Sequence, residues 1–144
     1  MSRPATLPGW LAYLETLHPK PIALGLDRVR AVRARMDAAI ACPVVTVAGT
    51  NGKGSTCALV ESTLRCAGYR TGLYTSPHLV RYHERVRIAG READDDALLA
   101  AFDAVEYARV AGEGGPVPLT YFEFGTLAAL WLFARASLDV LGLE

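Results

Sequence analysis

Three glycines, a lysine and three hydroxyls fall within eight consecutive residues, Gly49-Thr50-Asn51-Gly52-Lys53-Gly54-Ser55-Thr56. The chemistry this combination suits is the holding of phosphate. Glycines let the backbone wrap closely around an anion with its N–H groups turned inward. Lys53 brings a mobile positive charge to the outer phosphates of a nucleotide, and the hydroxyl of Ser55 or Thr56 can reach a phosphate oxygen or its magnesium. The match to G-x-x-x-x-G-K-[ST] is offset, because Val47 stands where the first glycine would be and Gly54 separates the lysine from Ser55. A turn that only joined a strand to a helix would have no use for a lysine at its centre. The dinucleotide fingerprint G-x-G-x-x-G is absent.

A phosphate loop works only between a strand and a helix, whose positive end adds to the amides. Pro43 to Ala48 is short, continuous and β-branched, as a buried strand is. The residues after the loop, through Leu59, Val60 and Leu64, form a helix that Gly68 ends in the C′ position. Thr71 to Tyr74 is a second strand, making a βαβ unit with parallel strands. Further on, Arg85 to Ile88 alternates, Ala89-Gly90-Arg91 turns, and Asp94, Asp95 and Asp96 open a helix whose positive end favours them. Gly112 to Pro118 reads as a loop, Tyr121 to about Ala136 as an apolar helix and Leu138 to Leu143 as a buried strand. Ahead of all this, Leu11, Leu14 and Leu17 predict a short helix stopping near His18-Pro19. A second helix is expected from about Asp27 to Ala39, with Arg28, Arg30, Arg33 and Arg35 on a solvated face. The result is an α/β domain with a largely parallel sheet flanked by helices.

Composition bounds the function. Lys+Arg and Asp+Glu are both 15, so no excess of charge points to nucleic acid or an anionic membrane. The longest apolar run, Phe124 to Ala134, falls short of the roughly 20 residues of a spanning helix. The first ten residues lack the apolar core of a secretory signal, which leaves the cytoplasm. Cys42, Cys57 and Cys66 show no metal or redox spacing and read as small core residues.

Several segments together carry a family resemblance. Val47 to Thr56 resembles the phosphate loop of the Mur ligase superfamily, in the form of its folylpolyglutamate synthase and dihydrofolate synthase branch. Thr75-Ser76-Pro77-His78-Leu79-Val80-Arg81-Tyr82 with Glu84-Arg85-Val86-Arg87 is similar to that branch's second signature. Ile22 to Arg30, Leu119 to Glu123 and Leu138 to Glu144 match in the same order.

The resemblance implies a P-loop ATPase domain over residues 41–144, incomplete at its C-terminal side, with residues 1–40 as a helical segment packed on it. It implies ATP and Mg2+ as cofactors, and a ligase that phosphorylates the carboxylate of dihydropteroate or a folate and joins it to L-glutamate. Residues 49–56 would bind ATP, Lys53 acting in catalysis; Ser76 and Glu144 would ligate magnesium. Pro77 independently restricts Ser76 to an extended conformation. Thr120, Tyr121, Phe122 and Glu123 would meet the pterin, as would Leu17 and His18 nearby. Thr120-x-x-Glu123 is also a capping box, and the two readings are compatible. His78 and His83 read as loop histidines. Gly142 departs from the bulky apolar residue usual there, and a glycine weakens a strand. The family's later histidine, carbamylated lysine and C-terminal domain have no counterpart in these residues, so the chain by itself is expected not to form the amide. The implied partners are small molecules, with no nucleic acid or membrane, and the full-length enzyme is expected to be a monomer. A peptidoglycan-type amino-acid ligase and a non-catalytic nucleotide-binding module are the alternatives.

Overall fold

A computed structural model describes residues 3–144. In chain order the elements are α1 (Leu7–Leu14), α2 (Asp27–Arg33), β1 (Val44–Thr46), α3 (Lys53–Cys66), β2 (Thr71–Tyr74), a 3-10 turn (Tyr82–Arg85), β3 (Val86–Ile88), β4 (Arg91–Glu92), α4 (Asp95–Val110), α5 (Tyr121–Arg135) and β5 (Val140–Leu143). Two compact units emerge. One takes residues up to Ala39 together with Asp95–Leu132; the other takes Ile40–Asp94 and Phe133–Glu144.

The first unit is helical. Thr6 caps α1, its Oγ1 accepting from the Gly9 amide at 3.3 Å, and the helix buries Leu7, Trp10 and Leu14. Trp10, Phe102 and Phe124 meet in the core with ring centroids 5.7 to 6.1 Å apart, the tilted and edge-on distances aromatic rings prefer. Beside them Glu106 and Arg109 form a buried ion pair at 2.7 Å, and Tyr13 donates its hydroxyl proton to Glu106 at 2.9 Å. Burial, then the bond to Glu106, raises the Tyr13 phenol above its ordinary value. The helix expected to reach Ala39 stops at Arg33. There the chain tightens into i→i−3 bonds, Arg35 N–H to Val32 and Met36 N–H to Arg33. The arginine face is only partly solvated: Arg28 is held by Glu123 and Arg35 donates to the Ala108 carbonyl at 3.2 Å.

The second unit is a five-stranded sheet in the order β1-β5-β2-β3-β4. β5 pairs in parallel with β1 and with β2, while β3 and β4 continue from β2 in antiparallel fashion. The expected βαβ unit is therefore present with its strands parallel but separated by β5. Ala89 and Gly90, at φ 51° and 76°, make the two-residue turn between β3 and β4, a connection that needs two positive φ values. Gly68, at φ 93°, ends α3 as expected. The Tyr69 amide reaches back to Leu64 and that of Gly68 to Arg65, which is the Schellman arrangement.

Two expectations fail here. β1 is exposed at all three positions, because it is an edge strand with β5 as its one neighbour; continuous β-branching signals a strand but not its place in the sheet. Of the cysteines only Cys57 is buried; Cys42 is intermediate and Cys66 exposed, since α3 turns Cys66 outward at its last residue.

The glycines of the sheet shape its packing. A Cβ on Gly72 would stand 2.5 Å from Leu138 and 3.0 Å from Phe133, so the end of α5 can lie on β2 only there. Gly72→Ala is expected to cost about 1 to 3 kcal/mol through overpacking, read as a lower midpoint in urea denaturation. At Gly142 the space a side chain would fill is taken by Leu73, whose Cδ1 lies 3.0 Å from the missing Cβ. The glycine in this strand is thus matched by its neighbour on β2. Among the described residues no helix is long and apolar enough to cross a membrane.

Candidate functional site

Because β1, β5 and β2 are parallel, their carboxyl ends lie on one edge of the sheet. Thr46 and Tyr74 flank Leu143 in register, and the ladders run one step further, with Val47 N–H to Leu143 and Glu144 N–H to Tyr74. The residues just past each strand are therefore gathered at that edge: 49–56 after β1, Ser76 after β2 and Glu144 after β5. This is where open α/β sheets present ligand groups.

Gly52 turns the chain into α3 from the left-handed region, φ 73° and ψ 5°, and no side chain caps the helix. A residue with a Cβ would be strained at that φ. The first intrahelical bond is Thr56 N–H to Gly52 at 3.0 Å, so the N–H groups of Lys53, Gly54 and Ser55 have no acceptor within the helix. Together with the helix dipole they form a site for an anion. Gly49, Thr50, Asn51, Gly54, Ser55 and Thr56 are exposed around it. The two hydroxyls differ: Thr56 donates back to the Gly52 carbonyl at 2.9 Å, whereas Ser55 stands exposed in the first turn.

Lys53 Nζ lies 4.0 Å from Glu144 Oε1, and Glu144 Oε2 accepts from the Ser76 amide at 3.4 Å. The carboxylate is thus fixed between the phosphate loop and the loop after β2. Among the described residues no three His, Cys, Asp or Glu side chains converge on a metal position. Ser76 and Glu144 are nevertheless hard oxygen donors of the kind magnesium takes in ones and twos, leaving the rest of its shell to water and phosphate. The donor set fits that ion.

The loop carrying Ser76 is tied down by residues of the second signature whose role the sequence did not reveal. The Glu84 carboxylate accepts three amides, Leu79 at 2.7 Å and Val80 and Arg81 each at 2.8 Å. Those bonds hold its carboxyl at a pKa of about 2. Arg85 donates through Nε to His78 Nδ1 at 2.8 Å and lies over the Tyr82 ring. His78 is thereby a structural acceptor in its loop. Also missed was Glu61, buried on α3 and paired with Arg87 of β3 at 3.1 Å. An acidic residue between apolar Leu59-Val60 and polar Ser62-Thr63 gave no signal of burial.

In the helical unit, Thr120 and Glu123 complete a capping box: the Thr120 amide donates to Glu123 Oε2 at 2.8 Å and the Glu123 amide to Thr120 Oγ1 at 3.2 Å. Arg28 adds two bonds to the same carboxylate, at 3.1 and 2.8 Å. Burial alone would raise the Glu123 carboxyl, but the hydrogen bonds from Arg28 and Thr120 outweigh it and hold it below its ordinary value. Thr120, Phe122 and Glu123 line a groove of about 430 Å³ whose other wall is Pro21 to Leu26 with Val29. Ile22, Leu24 and Phe122 are exposed there, Leu24 at 93%. That wall was a further omission; its signal was a set of apolar residues in a segment bounded by proline and glycine that no helix buries. Leu17 and His18 do not line the groove; His18 Nδ1 closes a turn onto the Lys20 backbone. Tyr121 is half-buried at the start of α5.

No family model matches the chain. The dihydrofolate synthase/folylpolyglutamate synthase of Escherichia coli K12 is 56% identical to it over 139 residues, which is 96% of this chain and 32% of that protein. Among solved structures, E. coli FolC in complex with DHPP and ADP matches with a TM-score of 0.90 at 55% identity, over 97% of this chain and 33% of that one. A Yersinia pestis bifunctional folylpolyglutamate synthase/dihydrofolate synthase complexed with AMPPNP and Mn ion matches at 0.89 and 50%, over 99% and 35%. The chain therefore spans about a third of the length of these relatives. The α/β fold expected from the sequence is the one observed. With more than half of its residues identical on a shared backbone, this chain belongs to the dihydrofolate synthase/folylpolyglutamate synthase family.

Proposed function

We propose that this chain provides the nucleotide and metal site, and one wall of the pterin site, of an ATP-dependent ligase that joins L-glutamate to dihydropteroate or a folate. The observation that carries the reading is the meeting of an uncapped helix N-terminus, Lys53, Ser76 and Glu144 at the carboxyl edge of three parallel strands. It is supported by relatives whose structures hold ADP with DHPP, or AMPPNP with Mn ion. A peptidoglycan-type ligase draws no support from relatives of this kind.

In the proposed reaction the substrate carboxylate takes the γ-phosphoryl group of ATP and ADP leaves. The amine of glutamate then attacks the acyl carbon, a proton departs from nitrogen and inorganic phosphate is expelled. The amides of residues 53–55 and the ammonium of Lys53 hold the phosphates and offset charge as it builds on the transferring group. Ser76 and Glu144 hold the divalent ion, which when bound supplies charge neutralisation across the phosphate oxygens. Residues 49–52 with 54–56 cradle the triphosphate, and the exposed apolar groove accepts a flat ring against Phe122. Leu17 and His18 are the further residues proposed to meet that substrate. The 144 residues alone bind nucleotide without closing the amide bond; the full-length enzyme works as a cytoplasmic monomer on small molecules, without nucleic acid or membrane.

The direct test is calorimetry of Mg·ATP with this chain. Saturable binding that weakens on removal of magnesium is expected, and no heat at millimolar nucleotide would overturn the reading. For the groove, Phe122→Ala in a chain of the relatives' full length should raise KM for the pterin substrate about tenfold, the worth of one base-like stacking contact, with the KM for ATP unchanged.

A further inference from the structure

Ser76, Glu84 and Glu144 line one cleft of about 420 Å³. A second carboxylate beside a divalent-ion position invites reading Glu84 as another ligand. Its bonds argue otherwise. Both oxygens are occupied by backbone donors, Oε2 by Leu79 and Oε1 by Val80 and Arg81, and nothing in the cleft needs it more than those three amides do. All three lie in the segment that comes after Ser76-Pro77. The neighbouring residue adds to the hold: the Arg85 carbonyl accepts from Thr75 N–H at 3.0 Å and its guanidinium holds His78. Thr75, His78, Leu79, Val80 and Arg81 are thus all fastened by the dipeptide Glu84-Arg85. Ser76 is the residue inside that frame whose amide meets Glu144.

Resting on the metal site proposed above, we infer that Glu84 is a positioning residue for the divalent ion: it fixes the loop so that the Ser76 hydroxyl and the Glu144 carboxylate face the same point. Leu79 and Val80 show what the clamp does. They are 91% and 88% exposed, so packing does not hold these two residues in place; the carboxylate's bonds to their amides do. In Glu84→Gln one acceptor oxygen becomes an NH2 that faces an N–H, so at least one tie breaks while the side chain's size is kept.

The test uses the 144-residue chain with AMPPNP in excess and Mn2+ titrated in, free Mn2+ being read by electron paramagnetic resonance. Glu84→Gln is expected to weaken Mn2+ about 10- to 100-fold, the range for groups that orient a metal ligand. Nucleotide affinity measured without metal should stay within about twofold, since the phosphate loop is untouched. Placed on Ser76→Ala, the same substitution should cost no further metal affinity. Unchanged Mn2+ affinity, or losses from the two substitutions that simply add, would overturn the inference. A parent chain that binds neither nucleotide nor Mn2+ removes the nucleotide-site reading itself and this one with it. Should Glu84→Gln fail to fold, hydrogen exchange on the parent decides: the amides of Leu79, Val80 and Arg81 should be protected before any metal is added, and exchange at random-coil rates would overturn the clamp.

Discussion

Lys53→Ala is expected to weaken Mg·ATP binding by about a hundredfold or more, beyond what calorimetry at ordinary concentrations detects. A hydrogen bond to a charged group contributes roughly 1.5 to 3 kcal/mol, and each 1.4 kcal/mol is about tenfold in affinity. The loss is compounded by position. Glu144 stands 4.0 Å from the ammonium, so without the lysine its negative charge beside the phosphates is offset by the divalent ion alone. Lys53→Arg should not restore binding, because a planar fork cannot take the place of a compact ammonium at the first residue of a helix. The far-UV circular dichroism should not change, as Lys53 is partly exposed and buries nothing of the core. Affinity equal to the parent's would remove residues 49–56 from the nucleotide site.

The second large effect is on stability. Glu123→Ala should destabilise the chain by about 3 kcal/mol, since it removes a cap, leaves a buried amide without its acceptor and breaks a part-buried ion pair. The groups left behind are the buried Thr120 amide and the half-buried Nε of Arg28, whose Nη2 keeps only the Ala23 carbonyl. Urea denaturation read by the fluorescence of Trp10 checks it, because that ring sits in the same core as Phe124. The lowered carboxyl sets the pH dependence. A group whose folded pKa is depressed gives stability that is complete above its unfolded value, 4.5, and that is lost as pH falls through the folded one. The parent should therefore lose stability on the acid side of 4.5 more steeply than Glu123→Ala does. Parallel acid limbs in the two proteins would mean that this carboxylate is not held as the structure places it.

Glu123 also shows how a sequence can be read two ways and both be retained. Thr120-x-x-Glu123 ahead of an apolar run spelled a capping box, and the structure forms it. The same residues line a groove, which the pattern could not reveal because its other wall lies about a hundred positions earlier, at Pro21 to Leu26. The arginines of α2 tell a similar story. As charged residues of a predicted helix they read as a solvated face, but only the tertiary fold, which brings Glu123 within 2.8 Å, made Arg28 an ion-pair partner rather than a solvated charge.

The features that the sequence determined by itself were local: which segments form strands and helices, that Gly68 ends α3, that a glycine-rich turn leads from β1 into it. These rest on φ preferences, caps and periodicity, which act within a few residues. The tertiary structure alone decided that β5 runs between β1 and β2, leaving β1 at an edge, and that Ser76, Glu144 and Lys53 stand at one end of the sheet. Strand order and charge partnership depend on contacts between residues distant along the chain, and nothing in the local pattern around Val44 or Glu84 encodes which distant neighbour will be there.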